Sequence, residues 1–144
     1  MKVLWRCVRG REVNFRKKST CIKRSHTHTN RMTGNYYHYT DEAGLKGIKE
    51  SGQIRPSTNT QTDAAYGTGV YFTEKMPQAS NSTLFVNNFD GASHDPNKLQ
   101  YYVRVPASEV PDAYQVNSKR NIVLLPTDQP FDLPKSAQFG ERKR

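Results

Sequence analysis

The chain has 144 residues and a mass of 16.5 kDa, enough for one compact domain with an appendage, since domains typically run about 100 to 150 residues. Only 34% of its residues are hydrophobic, which excludes a large aliphatic core and leaves eight Tyr, six Phe and one Trp to supply bulk. The net charge of +9, from 22 basic and 13 acidic residues, is uneven: residues 1–35 hold ten basic side chains and one acid, and the other 109 residues are neutral, with twelve of each.

The basic arm is therefore read apart from the rest, as residues 1–34 preceding a domain at 35–135 and a polar C-terminal tail at 136–144. It is acid-poor, rich in Arg, Lys, Ser and Thr, and has few apolar residues after Phe15, which favours flexibility over independent folding. Three readings stay open. Arg16-Lys17-Lys18 and Lys23-Arg24 suit nucleic acid or an import receptor; an Arg-rich, acid-poor segment suits an organelle address; and an extension without a selected role looks the same. Val3-Leu4-Trp5 is too short for a signal-peptide core, and no apolar run reaches the roughly 18 residues of a membrane span. The expected setting is a soluble intracellular monomer, with the nucleus ahead of cytosol or organelle. Cys7, Cys21, His26 and His28 are disfavoured as a zinc site, because such sites start from a close cysteine pair and here 13 residues intervene. No metal is expected.

In the domain, Tyr36-Tyr37-His38-Tyr39-Thr40 is aromatic and β-prone. Thr40 or Asp41 then caps a helix whose Leu45 and Ile48 share a face, with Glu42 and Lys46 spaced to pair and Gly52 as its stop. Alternation puts His38 and Thr40 on one face of the strand. A polar loop leads to Tyr66-Gly67-Thr68-Gly69-Val70-Tyr71-Phe72-Thr73, whose glycines suit a tight turn or a close backbone approach and whose last four residues form a strand. This is not a Rossmann fingerprint, because a strand and not a helix follows the glycines. Residues 76–89 are expected to be partly helical, Gln100 to Val105 and Asn121 to Pro126 to be strands, and Phe131 to Leu133 a short last one. Pro106, Pro111, Pro126, Pro130 and Pro134 confine these strands to edges and ends. The fold class is α+β, with small, mainly antiparallel sheets and one clear early helix.

His38-Tyr39-Thr40 closing a strand, followed about 30 residues later by the Tyr66 to Thr73 block and then the Pro77 to Ser80 segment, resembles the ADP-ribosyltransferase superfamily. It is most similar to its small HYD-type toxin members, and the second block is also similar to the Gly-x-Gly-Ile-Tyr-Phe-Ala-Asp signature of poly(ADP-ribose) polymerases. The resemblance covers residues 36–135 and is carried by residues 36–80. It implies a split fold of two sheets that cleaves NAD, as substrate, at the nicotinamide–ribose bond and transfers ADP-ribose to an acceptor, with a protein the expected one.

The resemblance also implies roles. His38 would hydrogen-bond a ribose hydroxyl, the Tyr39 backbone would hold the nicotinamide amide, Thr40 would add a hydroxyl to the pocket, and Tyr71 would stack on the nicotinamide ring. Gly67 and Gly69 would let the chain pass beside the ligand. The third family position, an acid or Gln on a later strand, falls on Gln100, with Glu109 and Asp112 as fallback acids. A neutral Gln binds a hydroxyl but supplies no charge and no general base, which points to single transfer or hydrolysis rather than chain elongation. Two other classes compete with this reading: a weak or inactive module that binds NAD or ADP-ribose, and a nucleic-acid-binding protein acting through its arm. A 2′-phosphotransferase-like activity on RNA phosphate would need more basic residues within the domain. Taken alone, each residue has a plainer explanation, His38 and Tyr71 as core packing and Gln100 as a solvent-facing strand residue.

Overall fold

A computed structural model of the chain describes residues 33–61, 64–90 and 95–143. The basic arm, with Cys7, Cys21, His26 and His28, lies outside the described residues up to position 32. Two helices and eight strands follow one another as β1 Asn35–Thr40, α1 Glu42–Ser51, β2 Gln53–Ile54, β3 Gly69–Phe72, α2 Asn81–Phe89, β4 Tyr101–Pro106, β5 Tyr114–Asn117, β6 Ile122–Pro126, β7 Phe131–Asp132 and β8 Gln138–Glu141. All pairing is antiparallel, in sheets of order β1-β4-β8, β2-β7 and β3-β6-β5. The α+β class expected from the sequence is the one observed.

Helix α1 forms where its signals stand. The Asp41 side chain accepts from the Gly44 amide at 2.7 Å, and Gly52 closes the helix in the left-handed conformation with its amide on Ile48 O. Lys46 faces Glu50 at 3.9 Å rather than Glu42; both are exposed, so the pair contributes little. Leu45 and Ile48 are buried against Tyr36, Val103 and Val105, each worth about 1.5–3 kcal/mol of burial. Tyr36 and Thr40 thus face the helix, and Tyr37 and Tyr39 project to the other side of β1 with Tyr102.

Phe72 joins the same core between Tyr36 and Phe131, so alternation turns its neighbours Tyr71 and Thr73 to the opposite face. Helix α2 packs on that face, where Asn87 Nδ2 donates to Thr73 Oγ1 at 3.1 Å. The helix begins at Ser80, whose hydroxyl accepts from the Thr83 amide. The residues 136–144, read as a polar tail, hold β8, which adds to the outer edge of β4 with Val103 opposite Phe139. Arg142 then anchors the end of the chain through the carbonyls of Pro77, Ala79 and Leu99 and Asn81 Oδ1, at 2.7 to 3.2 Å. Among the described residues no helix is long and apolar enough to cross a membrane.

Candidate functional site

The site lies where the two larger sheets part. Tyr37 and Thr73 exchange both backbone hydrogen bonds, at 2.8 and 3.0 Å, and the ladder between β1 and β3 stops at that bridge. An unbroken antiparallel ladder would next join Tyr39 to Tyr71, two residues further on. His38 fills the opening instead. Its Nδ1 stands 3.0 Å from Tyr71 O, and because a carbonyl oxygen only accepts, Nδ1 carries the proton. Since the Tyr37 backbone faces β3, alternation turns the backbone of His38 towards β4 and that of Tyr39 into the opening.

Burial pushes the His38 pKa below its ordinary value, opposed by the hydrogen bond to Tyr71 O. At neutral pH the ring is therefore uncharged, with Nε2 a bare acceptor. Tyr71 is held at its far end: its hydroxyl donates to Gly67 O at 2.6 Å and accepts from the Tyr66 amide at 3.0 Å. Gly67 has φ +113°, a conformation open to glycine and strained for other residues. Tyr39 donates its hydroxyl to Lys75 O at 2.7 Å, and burial raises its pKa, with nearby Arg142 opposing. Both tyrosine rings are thereby oriented by hydrogen bonds at their hydroxyls.

These groups open onto a cavity of about 590 Å³ lined by Tyr37, His38, Tyr39, Tyr66, Tyr71 and Phe89, among others, within the roughly 300–1,000 Å³ usual for small-molecule sites. Asn88, Asp90, Lys98 and Arg120 supply its charged and amide groups. Arg120 Nε donates to Asn87 O at 3.0 Å, and Nη1 stands 3.5 Å from the Tyr66 hydroxyl and 3.6 Å from Asp90 Oδ1. One wall is thus aromatic and uncharged, and another polar with an excess of cation.

The structure brings His38, Tyr39 and Tyr71 together around this cavity, and it places the other candidates elsewhere. Thr40 does not line it: a Cβ on Gly44 would collide with Thr40 Oγ1, so the hydroxyl sits against the first turn of α1. Gly69 is pressed against Leu125 O and the Leu124 side chain, and its close approach is to β6 rather than to the cavity. Gln100 donates to Glu141 Oε1 at 3.2 Å at the start of β4 and does not line the cavity. Glu109, in the short 3₁₀ turn Ala107–Glu109 after β4, and Asp112 are exposed at the other end of that strand. Among the described residues the carboxylate that does line the cavity is Asp90, at the left-handed cap of α2. Sequence reading missed Asp90, Lys98 and Arg120, which sit in polar segments with no periodicity. Among the described residues no group of three or more His, Cys, Asp or Glu could hold a metal ion.

Compared with protein-family models, residues 36–134 match the one described as HYD1 signature containing ADP-ribosyltransferase. Searches of curated proteins and of solved structures return no match.

Proposed function

The chain belongs to the toxin-type ADP-ribosyltransferases with the HYD1 signature, and on that premise we propose that it cleaves NAD at the nicotinamide–ribose bond and transfers a single ADP-ribose to an acceptor, or to water. The observation that carries this reading is the opening of the β1–β3 ladder beside the aromatic wall. There the Tyr39 amide and carbonyl face a cavity instead of a neighbouring strand. A carboxamide, with a donor and an acceptor side by side, is the complement of one such strand residue. The Tyr71 ring, clamped at its hydroxyl, offers a π-face to the cationic nicotinamide. His38 Nε2 is positioned to accept from a ribose hydroxyl.

As the C–N bond breaks, its electron pair leaves with nicotinamide and positive charge develops on the sugar carbon. The uncharged wall formed by Tyr37, Tyr39 and His38 holds the leaving group without trapping a cation. The acceptor nucleophile then forms the new bond to the sugar carbon and gives up its proton to water. Gln100, which lines no part of this cavity and donates to Glu141 Oε1, is assigned no step.

Incubation with NAD labelled in the nicotinamide ring tests the reading. Wild type should release nicotinamide, and His38→Ala and Tyr71→Ala should abolish that release while each still melts cooperatively. A wild type that binds NAD and releases none is a binding module. One that binds no NAD at millimolar concentration defeats both readings.

A further inference from the structure

Resting on the dinucleotide reading of the same cavity, we propose that Arg120, with the Tyr66 hydroxyl and Lys98, forms a subsite for the diphosphate of the ligand. The Arg120 side chain is 19% exposed and is braced by Nε to Asn87 O at 3.0 Å and by its own backbone amide to Asn117 Oδ1 at 3.0 Å. Neither contact uses Nη2, and no described group accepts from it. A planar guanidinium held by Nε, with Nη donors in reserve, suits bidentate recognition of a phosphate.

Tyr66 strengthens the case. Its hydroxyl oxygen accepts from Asn117 Nδ2 at 2.6 Å and faces Arg120 Nη1, which leaves its own proton to donate into the cavity it lines. Asn88 is spent in the same sense: its Oδ1 accepts from Asn87 Nδ2 at 2.7 Å, so its amide hydrogens remain. Lys98, at the same cavity, has no ion pair among the described residues. This end therefore presents donors and cations almost alone. The exception, Asp90 Oδ1 at 3.6 Å from Arg120, belongs to a side chain that is 79% exposed, a contact that a phosphate oxygen can displace.

Titration calorimetry of the full chain with NAD, ADP-ribose and nicotinamide riboside tests the subsite. Arg120→Ala should weaken NAD and ADP-ribose at least about tenfold, as loss of a charge-assisted hydrogen bond does, and leave the riboside within about twofold. Arg120→Lys should recover part of the loss. Lys98→Glu, at an exposed side chain, should weaken NAD and spare the riboside even if Arg120→Ala fails to fold. Unchanged NAD affinity in these variants overturns the subsite while the dinucleotide reading stands. Equal losses for NAD and riboside overturn it too, since they mark a change of cavity shape. A wild type that binds neither NAD nor ADP-ribose removes the dinucleotide reading itself, and the subsite with it.

Discussion

His38 has two nitrogens with two duties: Nδ1–H ties β1 to Tyr71 O at 3.0 Å, and Nε2 is left for a ligand. Asn has an amide nitrogen at the position of Nδ1 and nothing at that of Nε2, so His38→Asn separates the duties. It should fold, bind NAD more weakly and release little nicotinamide. The same residue makes stability depend on pH. Its folded pKa lies below the ordinary 6.5 because burial disfavours the charged ring, so between the two values the unfolded chain binds more protons and stability rises with pH. The contribution is complete above about pH 6.5 and is lost as pH falls towards the folded pKa. Melting temperature followed from pH 7.5 to 5.5 should therefore drop more in wild type than in His38→Asn; equal slopes would refute the assignment. The sequence made His38 and Tyr71 visible because an aromatic strand and a glycine-flanked strand place them. Arg120 was not visible, since a cation after Asn117-Ser118-Lys119 reads as a solvated turn, and its burial comes from Asn87 and Tyr66, 33 and 54 residues away.

Elements with strong local signals were legible. Asp41 and Gly52 bound α1 because capping is decided within a few residues, and β1, β3, β4 and β6 are runs rich in aromatic or β-branched residues. β5 and β8 were not, for a common reason. Tyr114-Gln115-Val116-Asn117 and Gln138-Phe139-Gly140-Glu141 are largely exposed edge strands, stabilised by pairing with a neighbour rather than by burying a face of their own. In β8, Gly140 is dictated from outside, since a Cβ there would strike the Tyr102 ring. Arg142 then makes the apparent tail structural by satisfying three carbonyls and one side-chain oxygen beneath the loop before α2. Arg142→Ala should lower stability by about 1–3 kcal/mol, because these partners lose a charged donor, and chemical denaturation is the measurement. A change below about 0.5 kcal/mol, within the range of ordinary surface substitutions, would show the clamp to be idle.

At the scale of the molecule, the charge of +9 first suggests a polyanion-binding protein, but its division assigns the excess to residues 1–35 and leaves residues 36–144 neutral. The two helices, eight strands and shared core of the described residues lie between positions 35 and 141, so deleting residues 1–33 should preserve a single cooperative melting transition and nicotinamide release. Loss of cooperativity would join the arm to the fold. By itself the sequence determined the mainly antiparallel α+β class, the first helix with its glycine stop, and the ADP-ribosyltransferase family, because these depend on short-range periodicity and on motifs in fixed order. Only the tertiary structure decided where the β1–β3 ladder opens, that Gln100, Glu109 and Asp112 lie off the cavity, and that Arg120 lies on it. Those outcomes depend on contacts between residues far apart in the chain, which local pattern does not encode.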